Sequence, residues 1–299
     1  MVTTPVLGPG DLVLCSGTVP RATPFRERLE AASAAGFAGI SLWGRDYGAA
    51  RLEGYGDADL KAMVADHGLA VAELDPAWWW TPGARRVRIP PEYDPVDIFR
   101  YDEDEMLRLG ELFGARSINA AEVLGGQWTK EEAAAGFAEL CDRAADRGLL
   151  VHLEWLGWSR VPDLATALDI VRLAGRPNGG VCVDTWHCAR TGTTAAQLRA
   201  VPGETVLSVQ INDGPAAAED DLLDATLHHR RLPGQGEFDL AGYLGALDGI
   251  GARAPVGVEV FSDDLHARGA TAAATMAAEA ARRLLHAGNG GGVGDGTVR

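Results

Sequence analysis

Cysteine is scarce in this 299-residue chain, and none of its four residues (Cys15, Cys141, Cys182, Cys188) belongs to a C-x-x-C pair. That spacing argues against a zinc-ribbon or thioredoxin-like motif and offers no disulfide framework, so reduced thiols are expected. Basic charge is also short: 27 Lys and Arg stand against 42 Asp and Glu, a formal charge of -15. A surface of that sign repels phosphate backbones. The dense basic clusters, Arg85/Arg86/Arg88 and His228 to Arg231, are short and suit a small anion better than a duplex. No apolar run approaches the roughly 20 residues of a membrane span. The opening MVTTPVLGPG lacks the basic and apolar segments of a secretory signal. The expectation is a cytoplasmic protein with neither nucleic acid nor membrane as partner.

The first strand-to-helix turn has no GxGxxG, which counts against a doubly wound dinucleotide-binding sheet. Neither an internal repeat nor a second core is visible. What is present, from end to end, is alternation. Strand-like runs fall at 12–19 (LVLCSGTV), 39–44, 69–75, 117–123, 149–156, 180–186, 206–213 and 255–262, with amphipathic, Ala-rich stretches such as 23–37 and 129–148 between them. Gly36, Gly68, Gly114, Gly148 and Gly175 stand where left-handed helix caps are wanted. Eight such units predict an α/β fold, a single-domain (β/α)8 TIM barrel over 1–287, followed by a disordered Gly-rich tail over 288–299. Two connections, 76–101 and 214–238, exceed simple turns and are expected over the barrel mouth, shaping or covering a site.

Active sites in parallel barrels form at the carboxyl ends of the strands. Four consecutive runs place a polar side chain there: Glu154 in VHLEW, Asp184 in VCVDTW, Gln210 in SVQIND and Glu259 in VGVEV. Burying such acids unpaired is costly. One divalent cation on the barrel axis, bound by all four, would offset that cost. An all-oxygen set favours Mn²⁺ or Mg²⁺, with Co²⁺ as a further fit, over metals that prefer the thiolates of Cys182 and Cys188. The bland alternative pairs these acids with arginines at the rim.

His187 follows Asp184 by three residues, on the loop leaving the sixth strand, where it is expected to contact substrate or relay a proton. Period-two spacing puts His152, Cys182, Ser208 and Gly257 on the same inward side as the four ligands. His152 is then either a residue that orients Glu154 or simple packing. Among the tryptophans, Trp43 and Trp155 flank strand ends and suit a sugar or cyclitol ring. Trp78, Trp79 and Trp80, in a loop bounded by Pro and Gly, read as a lid or a subunit contact.

Taken in order, HLEW, VDTWH, VQINDG, RRLPGQGEFDL and VGVEV resemble the motifs of the xylose isomerase-like TIM-barrel superfamily, which includes ketose epimerases, hydroxypyruvate isomerase, inosose dehydratase and dehydroshikimate dehydratase. The resemblance covers about residues 10–287 and is sharpest in the second half. It implies metal ligation by Glu154, Asp184, Gln210 and Glu259, with Glu154 and Glu259 also handling protons as catalytic groups. It implies that His187 and Arg230 hold substrate oxygens, with Arg231 as the alternative to Arg230. Gln210 departs from the His common among ketose epimerases and is similar to the dehydroshikimate dehydratase branch.

The implied activity is that of a divalent-metal-dependent isomerase or epimerase of a sugar, keto-sugar or cyclitol, acting by proton abstraction next to a carbonyl through an enediolate. A dehydratase (lyase) of the 3-dehydroshikimate or inosose type is the alternative. The expected partner is a small polyhydroxylated substrate, and the expected assembly a homodimer or homotetramer. An apurinic endonuclease of the same superfamily would need histidines on the early strands, where this chain has LWGRD and AELDP.

Overall fold

Each strand-like run does become a strand. The computed structural model describes residues 6–89 and 97–289. In it β1 (Leu12–Leu14), β2 (Gly39–Trp43), β3 (Ala70–Ala77), β4 (Ser117–Ala121), β5 (Leu150–Glu154), β6 (Gly179–Asp184), β7 (Val206–Ile211) and β8 (Val256–Val258) form a closed parallel barrel in sequence order. β1 pairs with β8 to close it, Val13 opposite Gly257. Helices run between the strands on the outside, as right-handed strand–helix–strand crossovers require.

The local signals explain the helix ends. Thr129 starts the helix Lys130–Ala145 with a reciprocal capping box, its side chain accepting from Glu132 N while the Glu132 carboxylate accepts from Thr129 N. Gly114 and Gly175 end the helices Glu103–Phe113 and Leu164–Ala174 at φ of 60° and 61°, a conformation that costs glycine nothing. The long last helix, Ala270–Asn289, packs on the first, Phe25–Ala34, and seals the ring. It takes in residues 288 and 289 of the expected tail; the rest of that tail lies outside the described residues. No helix among the described residues is long and apolar enough to cross a membrane.

The register aligns polar residues across the barrel mouth. Trp43 lies beside Asp75, Ala121 beside Glu154, and Asp184 beside Gln210. Glu259 follows β8 directly, its N–H donating to Ile211 O at 3.1 Å. The polar side chains along β3, β4, β5 and β7 are buried.

The three tryptophans require a correction. Trp78, Trp79 and Trp80 are neither lid nor free surface: all are buried in the main core. β3 runs on through Ala77 and carries the chain over the core edge. There Trp78 meets Phe99 edge-on at 5.2 Å and Trp80 meets Phe137 at 5.9 Å. Their indole N–H groups are satisfied by Ile98 O and Ala121 O for Trp78 and Trp80. Three large apolar rings gain more by packing than a Pro- and Gly-bounded loop signals locally.

Candidate active site

Asp184 ends β6 and caps the short helix Thr185–Arg190. Its Oδ1 accepts from Trp186 N and from Asn212 Nδ2, both at 2.7 Å. The Thr185 hydroxyl contacts Asn212 Oδ1 at 2.9 Å, which keeps the Asn212 amide turned toward Asp184. Asp184 Oδ2 faces the barrel axis and accepts from Arg230 Nη1 at 2.9 Å. The same nitrogen lies 3.2 Å from Glu259 Oε2.

Arg230 arrives there from the long connection after β7. An antiparallel bridge between Asp213 and Arg231 pins the backbone. Alternation then turns Arg231 out to solvent and Arg230 inward, where its Nε donates to Thr226 O at 3.0 Å. Arg230 is the one of the two that reaches the acids.

On the other side, Glu154 at the end of β5 accepts from Asn119 Nδ2 at 2.7 Å through Oε2. Its Oε1 lies 3.6 Å from His187 Nε2, which is 3.7 Å from Asp184 Oδ2. Ligand atoms of Glu154, Asp184 and His187 all fall within 4.8 Å of one another, close enough to share one metal ion. Glu259 stands outside this tight triplet. Glu259 is joined to it by Arg230, and Gln210 is the register neighbour of Asp184.

Burial and crowding set the charges. Burial first, then repulsion from Asp184 and Asp75, raises the Glu154 carboxyl well above the usual range. Burial does the same for Glu259; Arg230 opposes it, and Asp75, Glu154 and Asp184 reinforce it. His187 is pushed down to about 4, mainly by burial and with help from Arg230 against the pull of Asp184. Its ring is therefore neutral near pH 7, fit to bind a cation or accept a proton. Asp75, raised to about 7 by burial and then by Glu73, is another acid at the mouth, bonded to Asn119 at 3.1 Å.

These residues fit a divalent cation. Of the three buried acids Glu154, Asp184 and Glu259, the last two share the Arg230 guanidinium, leaving two negative charges in excess when all three are ionised. Gln210 Oε1 is buried and has no hydrogen-bond partner among the described residues, an arrangement that is costly unless something positive faces it. Oxygen and imidazole donors in one cluster suit Mn²⁺, Mg²⁺, Co²⁺ or Zn²⁺.

Around the site, Trp43 is held in the wall under Arg45, whose guanidinium sits 3.9 Å from the indole centre. Trp155, expected against substrate, is 0 % exposed and belongs to the hydrophobic core. Trp158 is the more open ring, 38 % exposed and edge-on to His187 at 5.5 Å. Glu73, Asp75 and Asn119 were not anticipated from the sequence. The signal was there, since E-L-D on β3 and S-I-N on β4 alternate with the period that exposed the later acids.

Fold and side-chain cluster together define a TIM-barrel protein with a buried, acid-rich, cation-suited centre at the carboxyl ends of its strands. The chain belongs to the xylose isomerase-like TIM barrel family, whose pattern matches residues 29–285. It is 35% identical over 259 residues to a 3-dehydroshikimate dehydratase of Pseudomonas aeruginosa, covering 85% of this chain and 38% of that protein. The chain thus spans less than half the length of that relative. It is 32% identical over 139 residues to an inosose isomerase of Bacillus velezensis, 46% of this chain and 49% of that one. The IOLI protein, solved with a zinc atom bound, shares the fold with a TM-score of 0.79 at 21% identity, over 93% of this chain and 98% of its own.

Proposed function

We propose that this barrel is a metal-dependent lyase domain that removes water from a small, polyhydroxylated cyclic ketone of the 3-dehydroshikimate or inosose class. The observation that carries the reading is the Gln210 oxygen, without a hydrogen-bond partner among the described residues, in a layer with three buried acids and one guanidinium. Gln210 itself, and the long match to a dehydratase, support dehydration over simple isomerisation.

Glu154, Asp184, Gln210 and Glu259 would hold the cation, with His187 near enough to join them. Bound there, a divalent cation supplies positive charge to the substrate's carbonyl oxygen and so acidifies the adjacent C–H. Asn119 fixes one Glu154 oxygen, leaving Oε1 to take the proton from that carbon. Arg230 and His187 grip substrate oxygens, and Trp43 walls the ring. As the C–H electrons form the new C=C bond, the β C–O bond breaks. The leaving hydroxyl takes a proton from Glu259. One water leaves, and the proton gained by Glu154 returns to Glu259 through solvent.

A second reading, isomerisation or epimerisation, is favoured by the inosose isomerase match. It differs only in the last step: the proton goes back to carbon and no C–O bond breaks. The test is chelator-stripped protein with Mn²⁺, Mg²⁺, Co²⁺ or Zn²⁺ restored, given 3-dehydroshikimate and inososes in deuterated water. Loss of one water by mass spectrometry supports the lyase; an isomer of unchanged composition carrying deuterium supports the second reading. Full activity in chelator refutes both. Glu259→Gln is expected to lose about 10²-fold or more of turnover with the fold intact, and undiminished turnover removes Glu259 from the chemistry.

A further inference from the structure

One pleat below the proposed ligands lies a second polar layer that the mechanism does not use. Glu73 on β3 accepts from Gln210 Nε2 at 2.9 Å through Oε1 and from the Ser208 hydroxyl at 2.9 Å through Oε2. His152 Nε2 stands 3.3 Å from that second oxygen.

The directions of these bonds follow from which groups can donate. Asn119 Nδ2 donates to both Glu154 and Asp75, so Asn119 Oδ1 faces His152 Nδ1 at 3.1 Å and needs a proton from it. The Ser117 hydroxyl donates to Ala72 O at 3.0 Å and lies 3.1 Å from His152 Nε2. His152 thus ties Asn119 on one side to Ser117 and Glu73 on the other, its Nε2 3.3 Å from Glu73 Oε2. Both Glu73 oxygens act as acceptors, Oε1 for Gln210 Nε2 and Oε2 for the Ser208 hydroxyl. Glu73 therefore engages the amino end of the Gln210 amide, and the carbonyl oxygen, without a partner among the described residues, is left for the site.

We propose that Glu73 is a positioning residue that sets the Gln210 amide with its oxygen toward the cation, and that through His152 and Asn119 the same layer orients Glu154. This rests on the metal reading above. It makes one hydrogen-bonded run across the barrel, from Gln210 through Glu73, His152 and Asn119 to Glu154.

The test is Mn²⁺ titration by calorimetry of chelator-stripped wild type, Glu73→Gln, and the exchanged pair Glu73→Gln/Gln210→Glu. A glutamine at 73 accepts either end of its neighbour, so Gln210 is free to turn its amino group on the cation. Mn²⁺ affinity is expected to fall about 10–100-fold. In the exchanged pair the carboxylate at 210 presents an oxygen whichever way it turns, and affinity is expected to return to within a few-fold of wild type. A folded Glu73→Gln with wild-type affinity, or an exchanged pair as weak as the single variant, overturns the proposal. Should wild type bind no Mn²⁺, the metal reading fails by itself. The positioning claim is then read by ¹⁵N-glutamine NMR in chelator, where the Gln210 amino protons should exchange slowly in wild type and faster in Glu73→Gln. Equal exchange rates overturn it.

Discussion

Replacing Arg230 by methionine keeps a side chain of similar length and removes the only guanidinium that touches Asp184 and Glu259 among the described residues. Arg230 is 3 % exposed, so solvent cannot take its place. Stripping one partner from a buried ion pair typically costs about 3–5 kcal/mol. At roughly 2–4 °C per kcal/mol, metal-free Arg230→Met should melt roughly 6–20 °C below wild type at pH 8. The deficit should depend on pH in a definite direction. Without the guanidinium, a freed carboxyl keeps its proton in the folded state, while the same group unfolded has released it. The folded variant then binds more protons than the unfolded chain, so stability falls as pH rises, by up to about 1.4 kcal/mol per unit for one proton. Acidification from pH 8 to pH 6.5 should therefore shrink the gap. Metal at one fixed, saturating concentration should narrow it too, since the variant no longer holds a competing positive charge and each tenfold gain in its affinity adds about 1.4 kcal/mol over wild type. Calorimetric melts in chelator at both pH values, then with Mn²⁺, decide it. Equal melting points at pH 8, or a deficit that does not change with pH, would refute the account of Arg230 as counter-ion to buried carboxylates.

Glu122 is buried and staples two loops, accepting from Leu124 N at 3.0 Å, Gly125 N at 2.6 Å and Arg160 N at 2.8 Å. Glu122→Ala orphans these donors and should cost about 1–3 kcal/mol in urea titration; an unchanged midpoint contradicts the staple. Gly136 lies inside a helix, where alanine normally stabilises, but a Cβ there would sit 2.2 Å from Trp80 O. Gly136→Ala should destabilise by about 1–3 kcal/mol, and a higher melting point would disprove the close approach. Asp75, held at about 7 by burial and Glu73, keeps a proton that the unfolded chain has lost. Its contribution is full below about pH 4 and is lost progressively up to about pH 7; between those values the metal-free protein should weaken, and Asp75→Asn should flatten that slope. Equal slopes in denaturant titrations of the two proteins would rule the assignment out.

The barrel was legible because its signal repeats: eight apolar runs, each followed by a helix. Strand ends were overrun where polar residues leave the sheet but stay buried. β1 stops at Leu14, and Ser16–Thr18 turn away under Arg28, whose Nη1 donates to Ser16 O at 2.9 Å. Asp46 completes that corner by accepting from the Ser16 hydroxyl at 2.6 Å, a contact between residues 30 positions apart that no local pattern reveals. The choice between Arg230 and Arg231 was likewise out of reach, since it depends on a bridge to Asp213 from another segment.

The layering of charge explains why the visible acids alone did not describe the site. Asp184 ends a strand and caps a helix, so its presence by itself requires no cation. Glu154 and Glu259 have protein partners as well, in Asn119 and Arg230. What the protein leaves uncompensated is the sum of the upper layer together with one amide oxygen. Glu73, one pleat lower, accepts from Gln210 and Ser208 and stands 3.3 Å from His152 Nε2, and its charge still helps to raise Asp75 above it. The upper acids are thus crowded from below as well as from beside, which raises both the cost of burying them and the gain from a cation among them.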